Sequence, residues 1–144
     1  MSLDRERDPE RVVRRWNRAF TALAAEPRRQ LVDALMDVSD EESVPLPEAA
    51  VNPRLSVDHD YLQVQLRHTH LPMLESEDYV RWEGRPFRAS RGSRFEEIAV
   101  VFDSLYANAG AIPEQLVDGY RRLERQRDDE PDTGDRGDSA SVND

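Results

Sequence analysis

Apolar positions recur near every 3.6 residues along much of the chain, and this spacing predicts helices. Between residues 8 and 23, Val12, Val13, Trp16, Phe20 and Leu23 fall on one side of a helix, with Arg11, Arg14, Arg15 and Arg18 toward water. Asp8 is placed to accept from backbone N–H groups as N-cap, and Pro9 suits the first helical position, where its missing donor costs nothing. Pro27 restarts the chain, and Leu31, Val32, Leu35 and Met36 mark a second helix ending near Val38. The stretch "SDEESVPLPEAAVNPRLSVD" is rich in proline and acidic residues, and reads as loop with a short helix at about 47–51 and little core.

The segment "DYLQVQLRH" admits two periods. Leu62, Val64 and Leu66 alternate with polar residues as in a strand, yet Leu62, Leu66, His70, Leu71, Met73 and Leu74 gather on one side of a helix that explains a longer span. In the helix, Tyr61, Gln65, His68 and Thr69 share the opposite side. His70, between Leu66 and Leu74, then reads as a partly buried histidine bonded to a neighbouring element. Pro72 removes one hydrogen bond, crowds the carbonyl of His68 and predicts a kink. "YVRWEGRPFRAS" reads as a short hairpin turning at "EGRP". Phe95, Ile98, Val101, Phe102, Leu105 and Tyr106 define another helix closed by "NAG", and Pro113 opens a last one with Leu116, Val117, Tyr120 and Leu123 on one face.

These elements predict a flexible start over residues 1–7, one domain over 8–127 and a disordered acidic tail over 128–144. At 144 residues one domain is the natural size. All 20 basic residues are Arg, against 30 Asp and Glu. Such a carboxylate-rich surface suits a saline cytoplasm, where salt screens self-repulsion; an ordinary acidic protein from a GC-rich gene is the alternative. Seven acidic groups against Arg136 alone lie in residues 128–144, so over half of the net charge of −10 is in the tail. Around the hairpin, Arg81, Arg85, Arg88, Arg91 and Arg94 face only Glu83, a local basic patch in an acidic protein.

No cysteine is present, which excludes disulfides and thiolate chemistry. The start carries no signal-like apolar run and no 18-residue apolar stretch follows, so a cytoplasmic protein without membrane contact is expected. His68 and His70, joined by His59, Asp58 or Asp60, are the candidate metal ligands. Two positions apart on a helix diverge by about 200°, so the helical reading separates them and no metal or other cofactor is expected. No phosphate loop, nucleophile elbow or isolated carboxylate pair occurs, so no enzyme is expected. Gln, Thr and His on one exposed helix face, followed by an Arg-rich hairpin, are what DNA readout needs: the former address base edges and arginines neutralise phosphates. The order helix, helix, short helix, helix, hairpin is that of a winged helix-turn-helix.

The runs "HLPML" and "SEDYVRWEG" resemble the H-L-P-x-L…G-V-V-x-Y/W pattern of small, largely uncharacterised winged-helix proteins of haloarchaea, similar to ArsR-type transcription regulators. "EPRRQLVDAL" resembles their R-R-x-x-L segment. The resemblance covers roughly residues 20–85 and is most specific at His70, Leu71, Pro72 and Leu74. It implies a mainly α fold with a small β-hairpin, a winged helix with additional N- and C-terminal helices. It further implies a recognition helix ending near Ser76, a wing at about 79–90, and homodimerisation through the terminal helices. Carried over, Gln65, His68 and Thr69 would read double-stranded DNA from the helix, and Arg81, Arg85 and Arg88 from the wing. The family's usual glycine after this helix is Asp78 here, and its metal-sensing motifs have no counterpart. The alternative is a protein-interaction or dimerisation module on a degenerate winged helix, for which the many apolar residues of 95–123 speak; a histidine-based metal sensor is a third reading.

Overall fold

The computed structural model describes residues 8–117 and 120–129, which form two compact units, one reaching to Val100 and one beginning at Val101. The start expected to be flexible, residues 1–7, and residues 130–144 of the expected tail lie outside the described residues. The last helix runs to Asp129, so the tail expected from residue 128 loses its first two residues to that helix. The protein is mainly helical with a small three-stranded antiparallel sheet.

Helix α1 spans Pro9–Ala22, and Asp8 caps it: its Oδ1 accepts from the N–H groups of Glu10 and Arg11 at 3.0 and 3.3 Å. Of the apolar side expected to dock, only Leu23 is buried. Val12, Val13, Trp16 and Phe20 are 46–57% exposed, whereas Ala19, Ala22 and Leu23 are buried. Arg15, expected to face water, donates to Glu97 Oε1 through Nε and Nη2 at 3.1 and 2.8 Å and to Glu77 Oε1 at 3.2 Å. Arg18 reaches Glu77 Oε2 at 2.8 Å, and the Arg15 guanidinium lies 5.9 Å from the Tyr79 ring centre. Ala19 and Ala22 lie on its buried side, and charge-assisted bonds hold its polar edge. The large apolar residues, with Trp16 and Phe20 stacked at 5.7 Å, remain outside.

Helix α2, Glu26–Met36, buries Leu31, Val32 and Leu35. The stretch expected to be loop then supplies strand β1, Ser43–Pro45, so the expected hairpin is part of a larger sheet. Val44 and Leu46, two residues apart, are both buried, as is Ala50 in the 3₁₀ turn Glu48–Ala50; the stretch contributes core after all. Pro45 is tolerated because β1 is an edge strand. Buried Asn52 ties the following loop to α2, donating to Glu26 Oε2 at 2.7 Å.

The segment from residue 59 to 76 is helical throughout, in three parts: α3 (His59–Gln65), a π turn (Leu66–His70) and α4 (Leu71–Ser76). Asp58 Oδ1 caps its start on the N–H groups of Asp60 and Tyr61. Pro72 is accommodated by widening the preceding turn: the Leu71 N–H donates to the Leu66 carbonyl, one residue beyond the α pattern. Leu62, Leu66, Leu71 and Leu74 are buried on one side. Asp78 ends the helix in the left-handed region at φ 63°, with the Tyr79 N–H on the Leu74 carbonyl at 3.0 Å.

Strands β2 (Val80–Gly84) and β3 (Phe87–Arg91) form the hairpin around Arg85 and Pro86, and β3 lies between β1 and β2. The register pairs Trp82 with Ala89 and Val44 with Ala89, so Val44, Val80, Trp82, Phe87 and Ala89 share the inner face. Gly92 closes the base: a Cβ there would lie 2.4 Å from the Asp78 carbonyl oxygen. Arg91 ties β3 to the end of α2, donating to the Leu35 and Val38 carbonyls at 3.0 and 2.7 Å and to Asp40 at 3.0 Å.

Helix α5, Phe95–Ala107, begins in the first unit, where Phe95 and Ile98 are buried, and continues into the second. There Phe102 stacks on Tyr106 at 5.6 Å and Arg122 lies 5.2 Å from the Tyr106 ring. The single last helix expected from Pro113 is described as two, α6 (Glu114–Val117) and α7 (Arg121–Asp129).

Candidate nucleic-acid interface

The cap at Asp58 and the buried leucines fix which side of the helix 59–76 meets water. Tyr61, Val64, His68, Thr69 and Pro72 are exposed along that side, and Gln65 is half-buried, its amide Nε2 donating to Tyr61 Oη at 3.0 Å. Gln65, His68 and Thr69 are therefore brought together. Val64, 54% exposed, belongs to the same surface, and the strand-like alternation that pairs it with the leucines conceals this.

The hairpin arginines separate. In the register Arg81 pairs with Ser90 and Glu83 with Arg88, so Arg81 and Arg88 share the sheet face opposite Trp82 and Phe87. Arg88 is engaged there: Nε donates to Ser43 Oγ at 2.6 Å and Nη2 to the Ser43 carbonyl at 2.8 Å, joining β3 to β1. Arg81 donates through Nη1 to the Arg91 carbonyl at 3.1 Å and is otherwise exposed. Arg85, at the turn, is exposed. The face presented by Trp82 and Phe87 meets the helix instead: Trp82 Nε1 donates to Glu75 Oε1 at 3.1 Å, and the Arg67 guanidinium lies 3.9 Å from the Phe87 ring centre. Sequence reasoning passed over Arg67; its place on the helix gives no sign of the aromatic ring twenty residues later.

His70 is buried, and its Nδ1 lies 2.9 Å from Arg28 Nη1. A guanidinium only donates, so Nδ1 accepts and the ring proton sits on Nε2. Burial pushes the imidazole below its ordinary value of 6.5, and the Arg28 charge pushes it further the same way. Arg28 also donates to the Ala22 and Thr21 carbonyls at 2.8 and 3.0 Å, capping α1. Among the described residues no group of three or more His, Asp or Glu is placed to hold a metal ion, and His68 and His70 point to different surroundings. No described helix is long and apolar enough to cross a membrane.

The charge on this surface is mixed. Asp58, Asp60, Glu75 and Glu77 belong to the helix or its caps, with Arg67 as its one arginine. Basic charge facing solvent comes from Arg81 and Arg85 on the hairpin. No protein-family model, curated protein or solved structure matches the chain.

Proposed function

We propose that this chain is a winged-helix transcription regulator that binds double-stranded DNA, without catalysis. The observation that carries the reading is the order of elements around one exposed helix. Helix α2, strand β1, a short 3₁₀ turn, the helix 59–76 and the β2–β3 hairpin follow one another as in a winged helix, with the sheet order β1-β3-β2. Gln65, His68 and Thr69 then occupy the reading side, suited to base edges, and Arg85 stands at the tip of the wing, suited to phosphate or a minor groove. Arg81 adds charge nearer the base of the hairpin, and Arg88 acts chiefly in the sheet through Ser43.

The net charge of −10 opposes DNA at ordinary ionic strength. In salt of roughly 1 M the Debye length is about 3 Å, and only the contact face matters. The regulator acts as a homodimer through its terminal helices. The exposed Val12, Val13, Trp16 and Phe20 of α1 support this, since four large apolar residues on one helix face gain by burial against a partner. The all-arginine, carboxylate-rich composition supports a saline cytoplasm as its setting.

One observation favours a second reading, a protein-interaction module on the same fold: the helix 59–76 and its caps carry four carboxylates, and the helix's one arginine lies against Phe87. Genome-wide occupancy of the tagged protein in a host with a saline cytoplasm separates the two. Confined peaks near promoters support the regulator. Uniform background, with a protein partner co-purifying free of DNA, supports the module.

A further inference from the structure

Four side chains connect the reading helix to the hairpin in a closed circuit. Arg67, in the π turn, lies with its guanidinium 3.9 Å from the Phe87 ring centre on β3 and donates weakly to the Gly84 carbonyl at 3.4 Å. Phe87 meets Trp82 on β2 edge to face, with ring centres 6.1 Å apart. Trp82 Nε1 returns to the helix at Glu75, two turns beyond Arg67, at 3.1 Å. Gly84 fits this arrangement: a Cβ there would stand 3.1 Å from Arg67 Nη1, tighter than ordinary van der Waals contact. The hairpin is thus held at two points of the helix, one on either side of Pro72, by partly exposed groups outside the leucine core.

We propose that Arg67 is a positioning residue: it sets where the hairpin tip, and with it Arg85, stands relative to the reading face of the helix. Its sequence position among Gln65, His68 and Thr69 would make it a phosphate contact, but its charge is turned over an aromatic ring and toward a carbonyl. A planar guanidinium stacks in this way and a lysine ammonium does not, so the role requires arginine in particular. The consequence for DNA rests on the regulator reading above; the clasp itself does not.

The test is a distance between spin labels in the DNA-free full chain, which has no native cysteine to interfere. Labels at Val64→Cys and Glu83→Cys, both exposed, report helix against hairpin. The expected result is one narrow distance in the parent and a distribution at least twofold broader in both Arg67→Ala and Arg67→Lys, with the far-UV spectrum retained. Unchanged distributions in both variants overturn the proposal. On DNA, both variants weaken binding by the same factor as Arg85→Ala, and Arg67→Ala combined with Arg85→Ala is no weaker than Arg85→Ala alone. Parent-like binding by Arg67→Lys, or multiplying losses with a salt slope lower by about one for each substitution, would show Arg67 to be a phosphate contact and overturn it. If the parent binds no DNA the regulator reading fails, and the label distances still decide the clasp.

Discussion

Arg28 Nη1 and His70 Nδ1 meet at 2.9 Å, and this contact joins the segments "EPRRQLVDAL" and "HLPML" in space. Arg28 holds the last carbonyls of α1 with its other nitrogens, so one guanidinium links the N-terminal helix, α2 and the helix 59–76. The arrangement requires a neutral imidazole as acceptor.

A pH dependence follows. The native imidazole is depressed below 6.5 by burial and by Arg28, while the unfolded one titrates near 6.5. Above that pH both states are neutral and the full stability is present. As pH falls below it the unfolded chain takes a proton that the native state refuses, and stability declines toward the native pKa. Thermal unfolding in molar KCl between pH 7.5 and 5 is expected to show this loss. His70→Gln, which keeps an acceptor for Arg28 and cannot titrate, should show a shallower decline; an equal slope would mean that other groups cause it.

Asp78 and Gly92 form a second pair, opposite in sign. Asp78 holds φ 63°, which costs a non-glycine residue about 1 kcal/mol. Its backbone bonds to Glu75 and Arg94 do not involve the side chain. Asp78→Gly should therefore stabilise by roughly 0.5–1 kcal/mol in urea titration. Gly92→Ala puts a methyl group 2.4 Å from the Asp78 oxygen and should destabilise by about 1–3 kcal/mol, because backbone, and not a flexible side-chain end, must give way.

The two sides of α1 should respond differently. Arg15→Met removes bonds to Glu77 and Glu97 and leaves Glu77, 14% exposed, with Arg18 alone; a loss of about 1–2 kcal/mol is expected. Trp16→Ser combined with Phe20→Ser alters surface residues and should leave the monomer's stability within about 0.5 kcal/mol. Sedimentation equilibrium in molar KCl is expected to find a dimer in the parent and a monomer in this double variant. A parent that stays monomeric at high concentration would remove dimerisation through this face.

How much of this was legible in the chain depends on the kind of signal. Asp8-Pro9 and the leucines of 62–74 mark helices because caps and 3.6-residue spacing are local, and the histidine between Leu66 and Leu74 is buried as its position demands. Strand β1 was not legible: three residues in a proline-rich stretch are strand only because β3 arrives from forty residues away. The docking side of α1 was misread for a related reason. An apolar stripe shows where burial would be favourable but does not say against what; here Ala19 and Ala22 are buried instead, and Arg15 is held by Glu77 and Glu97. For the candidate site, helical geometry groups Gln65, His68 and Thr69. The separation of Arg85 from Arg81 and Arg88 needs the hairpin register, which a run of arginines does not contain.

Sequence-specific DNA binding is tested by selection from random double-stranded DNA with the folded protein in molar KCl. The parent should enrich one motif, and the variant carrying Gln65→Ala, His68→Ala and Thr69→Ala should lose it while unfolding at the parent's temperature within a few degrees. Arg85→Ala should weaken binding across sequences and lower the salt slope by about one. Folded protein that enriches no sequence, or a triple variant that enriches the same motif as strongly as the parent, would rule out sequence reading by Gln65, His68 and Thr69.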